Sequence, residues 1–176
     1  MTIQVILSAV GSDRPGLTQS LADAVLSAGG NWLGSHLSRL GGKYVGSVLV
    51  ELDESDLSRL QRAIENVDAG GLHVSIVPAG EEPAAPGTAL AIELVGQDRP
   101  GIVREVAAVL AGLGVNIEDF ASRAENSAWS GERLFRAVAR LSIPAGTSFD
   151  QVQSALESIS GEIMVDLTIA RTEAKS

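Results

Sequence analysis

The chain has 176 residues, of which 45% are hydrophobic and 20% charged, and it carries a formal net charge of −9 with no cysteine. The absence of cysteine excludes a disulfide framework, a thiolate zinc site and a catalytic thiol. The acidic balance disfavours direct nucleic-acid binding, which needs clustered positive charge, and no apolar run approaches the roughly 20 residues that span a bilayer.

The first half of the sequence predicts six elements in the order βαββαβ. Apolar residues alternate near the N-terminus, as in a strand with one buried face, and then recur at helical spacing. The predicted elements are strand 3–10, helix 15–28, strands 31–40 and 43–52, helix 54–67 and strand 72–78.

The second half of the sequence repeats the first. The heptapeptide at 10–16 recurs with one change at 95–101, and the apolar helix positions of the first half fall on apolar positions of the second. A polar insertion at 124–132 is expected to lengthen the second hairpin. The predicted elements of this half are strand 89–95, helix 100–113, strands 115–123 and 133–143, helix 148–159 and strand 162–170.

This order predicts an α+β protein of two tandem ferredoxin-like domains. Each domain is expected to have an antiparallel four-stranded sheet with two helices on one face. The first domain is predicted over 1–78, a linker rich in Pro, Gly and Ala over 79–87, the second domain over 88–171, and a frayed tail over 172–176. Because exposed sheet edges invite pairing, we expect edge-to-edge association, either within the chain or in a homodimer.

In both halves the first strand ends in Gly-x-Asp-Arg-Pro-Gly, at 11–16 and at 96–101. The proline is expected in the first helical turn, and the aspartate is expected to cap the free N–H groups there. Helix N-termini also bind carboxylates. The loop is therefore either a well-formed strand-to-helix turn, duplicated with the gene, or a site for a small anionic or zwitterionic metabolite.

Asn31 and Asn116 are predicted to begin the second strand beside this loop, where an amide offers both a donor and an acceptor. An asparagine after a helix-ending glycine is equally suited to a turn. No catalytic residue, metal ligand or cofactor is predicted. The candidate ligand-binding residues are Gly11, Asp13, Arg14, Pro15, Gly16, Leu17 and Asn31 in the first half, and Gly96, Asp98, Arg99, Pro100, Gly101, Ile102 and Asn116 in the second.

The duplicated Asp-Arg-Pro-Gly loop, the helix that ends in glycine and the asparagine that follows resemble ACT domains in both halves. The resemblance implies small βαββαβ modules that bind amino acids and regulate. It places Asp13 and Asp98 where serine-binding members have an Asn, and Asn31 and Asn116 where they have a second Asn. A glycine in each half stands where those members have a His.

The tandem order, the long second hairpin and the segments 131–135 and 143–147 more narrowly resemble glycine cleavage system transcriptional repressors. That resemblance implies a non-enzymatic protein that binds glycine or serine. It also implies control of transcription through a protein partner, such as a transcriptional activator, without direct nucleic-acid binding. A cytoplasmic location with no membrane association is expected.

Two other functions stay open at this point. A pair of such domains can regulate a metabolic enzyme in trans. Alternatively, an acylphosphatase-like hydrolase would use Arg14 or Arg99 to hold phosphate, which the neighbouring aspartate would repel. His36 and His73 lack the spacing of metal ligands. Trp129, in the hairpin insertion, is either a contact for a partner or a packed side chain.

Overall fold

The computed structural model describes residues 1–81, 87–126 and 131–159, and the backbone of 164–168. The chain divides into two compact units, Met1–Glu82 and Pro83–Ser176. Most of the predicted linker, Trp129, both ends of the last predicted strand and the predicted tail lie outside the described residues.

The first unit contains four strands and two helices in the predicted order. The strands form one antiparallel sheet in the order β2-β3-β1-β4. A one-turn 3-10 helix, Glu54–Asp56, leads into the second helix. The elements are β1 (Thr2–Ser12), α1 (Leu17–Ser27), β2 (Asn31–Leu40), β3 (Lys43–Asp53), α2 (Leu57–Ala69) and β4 (Leu72–Pro78).

The core of the first unit lies between one face of the sheet and the two helices. Alternate residues of β1 point to this face, with Leu7 fully buried and its neighbours along the chain more exposed. Leu21 of α1 and Leu60 of α2 are also fully buried and belong to the same cluster. The helical spacing of apolar residues in the sequence thus marks the stripe of each helix that packs on the sheet.

The second unit repeats this arrangement in the sheet order β6-β7-β5-β8. Its core is a separate cluster in which Leu94, Leu110 and Leu156 are almost fully buried. The elements are β5 (Gly87–Gln97), α3 (Ile102–Gly112), β6 (Asn116–Asn126), β7 (Arg133–Pro144), α4 (Phe149–Glu157) and β8 (Met164–Thr168).

The predicted fold class is therefore confirmed: two tandem ferredoxin-like units, each with an antiparallel four-stranded sheet and two helices on one face. The likeness of the units extends to irregularities, because a β-bulge between Trp32 and Gly34 has its counterpart between Ile117 and Asp119. Edge-to-edge association, either within the chain or in a homodimer, stays a prediction.

Candidate functional site

The duplicated loop connects β1 to α1 in the first unit and β5 to α3 in the second. The prediction that the proline lies in the first helical turn is wrong, because the helices begin two residues after it, at Leu17 and Ile102. The reason is the intervening glycine: Gly16 has φ +93° and Gly101 has φ +91°, a left-handed conformation that interrupts the helical path. Leu17 and Ile102, both predicted site residues, place their side chains in the core.

The prediction that the aspartates cap the helices is also wrong. Neither α1 nor α3 has a side-chain cap hydrogen bond. Instead, Asp13 lies 3.3 Å from the Arg39 guanidinium of β2, and Asp98 lies 3.5 Å from the Arg133 guanidinium of β7. Since these arginines belong to the neighbouring hairpin, the two carboxylates attach each loop to the sheet rather than to the helix.

The glycine that opens each loop lies within a strand. Gly11 pairs with Tyr44 on one side and with Leu72 on the other. A Cβ atom on Gly11 would stand 2.5 Å from the carbonyl oxygen of Gly71, so only glycine fits between these strands without a shift of the backbone. Gly96 occupies the matching position in β5 and is buried. Both glycines therefore have a packing role in the strand that leads into the loop.

The two loop arginines have different partners. Arg14 donates a hydrogen bond to the carbonyl oxygen of Gly70, which follows the end of α2. Arg99 donates to both carboxylate oxygens of Glu105 in α3, at 2.8 and 2.6 Å. This two-bond geometry is the strong form of an arginine–carboxylate pair. The otherwise similar loops thus differ in the charge next to their arginine.

A groove of about 390 Å³ lies between α1 and α2, next to Arg14. Its apolar lining includes Leu17, Ala24 and Val67, and its polar lining includes Ser20, Asp23 and Asn66. It brings a cation, a carboxylate, a hydroxyl and an amide to one opening on the helical side of the unit.

Asn31 and Asn116 do not lie beside the loops of their own units, so that prediction is wrong. Asn31 pairs with Glu51, which pairs with Gln4 at the beginning of β1, whereas the loop follows Ser12 at its end. Eight residues of extended strand separate these positions by roughly 27 Å. The cause is the topology: β2 and β1 both pair antiparallel with β3, so they run in the same direction and begin at the same edge. Asn116, opposite Ser142, has the corresponding place in the second unit.

Ser20, Asp23, Asn66 and Gly70 line the groove but are not among the residues predicted from the sequence. Ser20 and Asp23 are three residues apart on a helix, a spacing that places polar groups on one side, and this spacing was visible in the sequence. The contribution of α2 was not visible in the sequence, because only the folded structure shows which helices pack against each other.

Other charged side chains of the described residues form ion pairs of the kind that stabilise a folded surface. In the second sheet, Glu125 accepts hydrogen bonds from Arg123 and Arg136, each at 2.9 Å, and these bonds lower its pKa. His73 lies 3.2 Å from the Asp68 carboxylate. No group of three or more potential metal ligands occurs in the part of the chain that the structure describes.

The Arg99–Glu105 pair predicts a measurable pH dependence. The hydrogen bonds from Arg99 hold the pKa of Glu105 below its ordinary value, with desolvation opposing this effect. Because the folded-state pKa is the lower one, the pair stabilises the fold above the ordinary carboxyl pKa, and this contribution is lost as the pH falls through the lowered pKa. We expect Arg99→Gln to return the pKa of Glu105 to near its ordinary value in a carbon-detected NMR titration.

The matched control for this titration is Arg104→Gln. Arg104 makes the smallest contribution to the lowered pKa, through space and without a hydrogen bond. Its replacement should leave the titration of Glu105 almost unchanged. An Arg99→Gln protein in which Glu105 titrates as in the wild type would show that the pair does not persist in solution.

Both halves of the chain match the same protein family. Residues 4–75 and 88–169 each match the model of the ACT domain family. A search of the curated proteins found no match. Among the helices of the described residues, none combines the length and apolar character that a membrane span requires.

Two solved structures resemble the chain over nearly its whole length. The first is an unknown protein from Galdieria sulphuraria, with 29% identity and a TM-score of 0.81, covering 95% of this chain and 98% of that one. The second is described as a "putative glycine cleavage system transcriptional repressor", with 15% identity and a TM-score of 0.73, covering 98% of this chain and 99% of that one. At its level of identity, the second likeness concerns the fold alone.

Proposed function

The chain belongs to the ACT domain family, with two copies of the domain in tandem, and from this premise we propose that it senses a small amino acid through the loops at 11–17 and 96–102. It is a regulatory protein of that family. In this proposal glycine or serine is the signal, and the response is control of genes of amino-acid metabolism through a protein partner.

The observation that carries the proposal is the match of both halves to a family of regulatory domains, together with the arginine-bearing loop that both halves keep. An amino acid presents a carboxylate, and a guanidinium binds carboxylates through paired hydrogen bonds. The whole-length likeness in fold to the protein described as a glycine cleavage system repressor supports the same assignment.

A protein partner is proposed because the charge does not suit DNA. The net charge of −9 would repel phosphate, and binding to DNA depends on releasing counterions from it. An acidic regulator is suited to act on a basic surface of a transcriptional activator. The same charge argues against a phosphate-cleaving enzyme, and in the second unit Glu105 already neutralises the arginine that such an enzyme would need.

The test is ligand-dependent stabilisation of the full chain. A ligand present at 100 times its Kd stabilises the native state by about 2.7 kcal/mol, which raises Tm by roughly 5 °C or more. We expect millimolar glycine or L-serine to produce such a shift. A protein carrying both Asp13→Ala and Asp98→Ala should lose most of it, since the loops are then no longer attached to Arg39 and Arg133.

The matched control is Glu65→Ala, which removes an exposed carboxylate of α2 and leaves both loops intact. It should respond to amino acids as the wild type does. If no amino acid raises Tm at millimolar concentration, amino-acid sensing is disproved. Asn31 and Asn116 lie too far from the loops of their own units to complete a site there. Their place among the candidate ligand-binding residues therefore depends on the predicted edge-to-edge association, within the chain or in a homodimer.

A further inference from the structure

One matched helix position distinguishes the two units. Ser20 in α1 and Glu105 in α3 both stand six residues after the loop arginine. Glu105 reaches back and binds the Arg99 guanidinium with two hydrogen bonds. The serine hydroxyl of the first unit turns instead to the carbonyl oxygen of Gly16, at 3.1 Å. The same loop is therefore paired with a carboxylate in one unit and not in the other.

Arg14, which lines the groove, has N–H donors that are available to a ligand. Within the described residues, its one protein acceptor is the carbonyl oxygen of Gly70, whereas a guanidinium has five N–H donors. Asp23 also lines the groove but lies beyond ion-pair distance of Arg14, and no carboxylate of the described residues lies within 4 Å of that guanidinium. The groove thus presents a positive group and a negative group that do not neutralise each other.

A positive and a negative group in one groove suit an α-amino acid, whose carboxylate and ammonium are both attached to the Cα atom. The apolar lining formed by Leu17, Ala24 and Val67 accommodates a small side chain or none. The volume of about 390 Å³ falls within the range of small-molecule sites. In the second unit the position of Asp23 is taken by Ala108, so the negative group is missing there.

We propose that the chain binds one amino acid, in the groove between α1 and α2, with its carboxylate on Arg14 and its ammonium toward Asp23. The second unit does not bind, because Glu105 holds Arg99 and no acidic residue replaces Asp23. This inference rests on the proposed function and assigns amino-acid sensing to the first unit. In this proposal the second unit serves in regulation or in contact with the partner.

The first experiment measures stoichiometry and chemical selectivity with the full chain. Isothermal titration with glycine and L-serine should give one site per chain. Glycinamide, which keeps the ammonium and lacks the carboxylate, should bind about tenfold more weakly or worse, because the charge-assisted bonds to Arg14 are lost. Two equivalent sites per chain, or equal binding of glycinamide, would overturn the proposal.

The second experiment introduces into the first unit a carboxylate at the position that Glu105 has in the second unit. Ser20→Glu places a carboxylate where it can bind Arg14, and we expect affinity for glycine to fall about tenfold or more. Ser20→Gln has nearly the same size without the charge and should bind within about threefold of the wild type. Both changes are at an exposed helix position, and circular dichroism verifies that the fold is retained.

The arginines supply the matched pair. Arg14→Gln should weaken glycine binding about tenfold or more, whereas Arg62→Gln, at an exposed position of α2 outside the groove lining, should leave it unchanged. If Arg14→Gln and Ser20→Glu bind glycine like the wild type, while the double aspartate variant does not, the groove is wrong and amino-acid sensing stands. If the wild type binds neither glycine nor L-serine, both proposals fail together.

Discussion

Replacing Gly46 by alanine is expected to lower the free energy of unfolding by about 3 kcal/mol or more. Gly46 lies in β3 between Ala9 of β1 and Leu37 of β2. A Cβ atom there would overlap the carbonyl oxygen of His36 and stand 2.8 Å from the Cα of Leu37. The φ of Gly46, +152°, is also one that residues with a side chain rarely adopt. The clash is with backbone, so a rotamer change cannot relieve it.

The matched control for this substitution is Gly34→Ala. Gly34 lies in the neighbouring strand β2, and a Cβ atom built on it meets nothing within 4 Å. Alanine also has a higher strand propensity than glycine, so this change should be neutral or slightly stabilising. Urea titrations of both variants measure the difference. Equal stability of the two proteins would show that β3 and β2 are not paired in the register described.

The order of the elements was predictable from sequence because the chain repeats itself. Each apolar pattern is seen twice, so a stripe such as Leu17 and Leu21 is supported by its counterpart, Ile102 and Val106. The start of the first helix in each unit is predicted two residues early, because proline favours a first helical turn and the effect of the glycine after it is not visible in the pattern. Gly16 adopts a left-handed φ, and its sequence context alone does not show this.

The site was less predictable than the fold, because side-chain partners depend on strand order. The aspartate was assigned to the helix that follows it in sequence, yet Arg39, 26 residues further on, lies close enough to bind Asp13. Proximity in sequence places Asn31 beside the loop, whereas β2 and β1 run in the same direction and so begin at the opposite end of the sheet from it. Both errors come from inferring proximity in space from proximity in the chain.

The two units differ in a way that shows how a duplicated regulator diverges. A gene duplication first yields two equal loops, and one substitution on the following helix is enough to make them unequal. A carboxylate at position 105 pairs with the arginine of its own loop, and the serine at position 20 leaves the other arginine on a polar groove. The loop sequence itself can stay the same in both copies, although only one copy is suited to an anionic ligand.

Replacing Leu21 by alanine is expected to cost about 2–5 kcal/mol of stability and to abolish amino-acid binding at temperatures where the first unit unfolds. Leu21 is fully buried, on the side of α1 that packs on the sheet. Alanine leaves a cavity there because the other side chains of the buried core cluster relax only partly. The loss should appear as a lower midpoint of urea unfolding with an unchanged slope.

The control on the same helix is Leu26→Ala. Leu26 is 74% exposed, so its removal should change stability by less than about 0.5 kcal/mol. The pair also tests the site: α1 provides Ser20 and Asp23 to the groove, and its position depends on Leu21 and not on Leu26. Well below its melting temperature, a folded Leu26→Ala protein should bind glycine as the wild type does. If Leu21→Ala were as stable as Leu26→Ala, α1 would not pack on the sheet through this face, and the groove would not have the walls described.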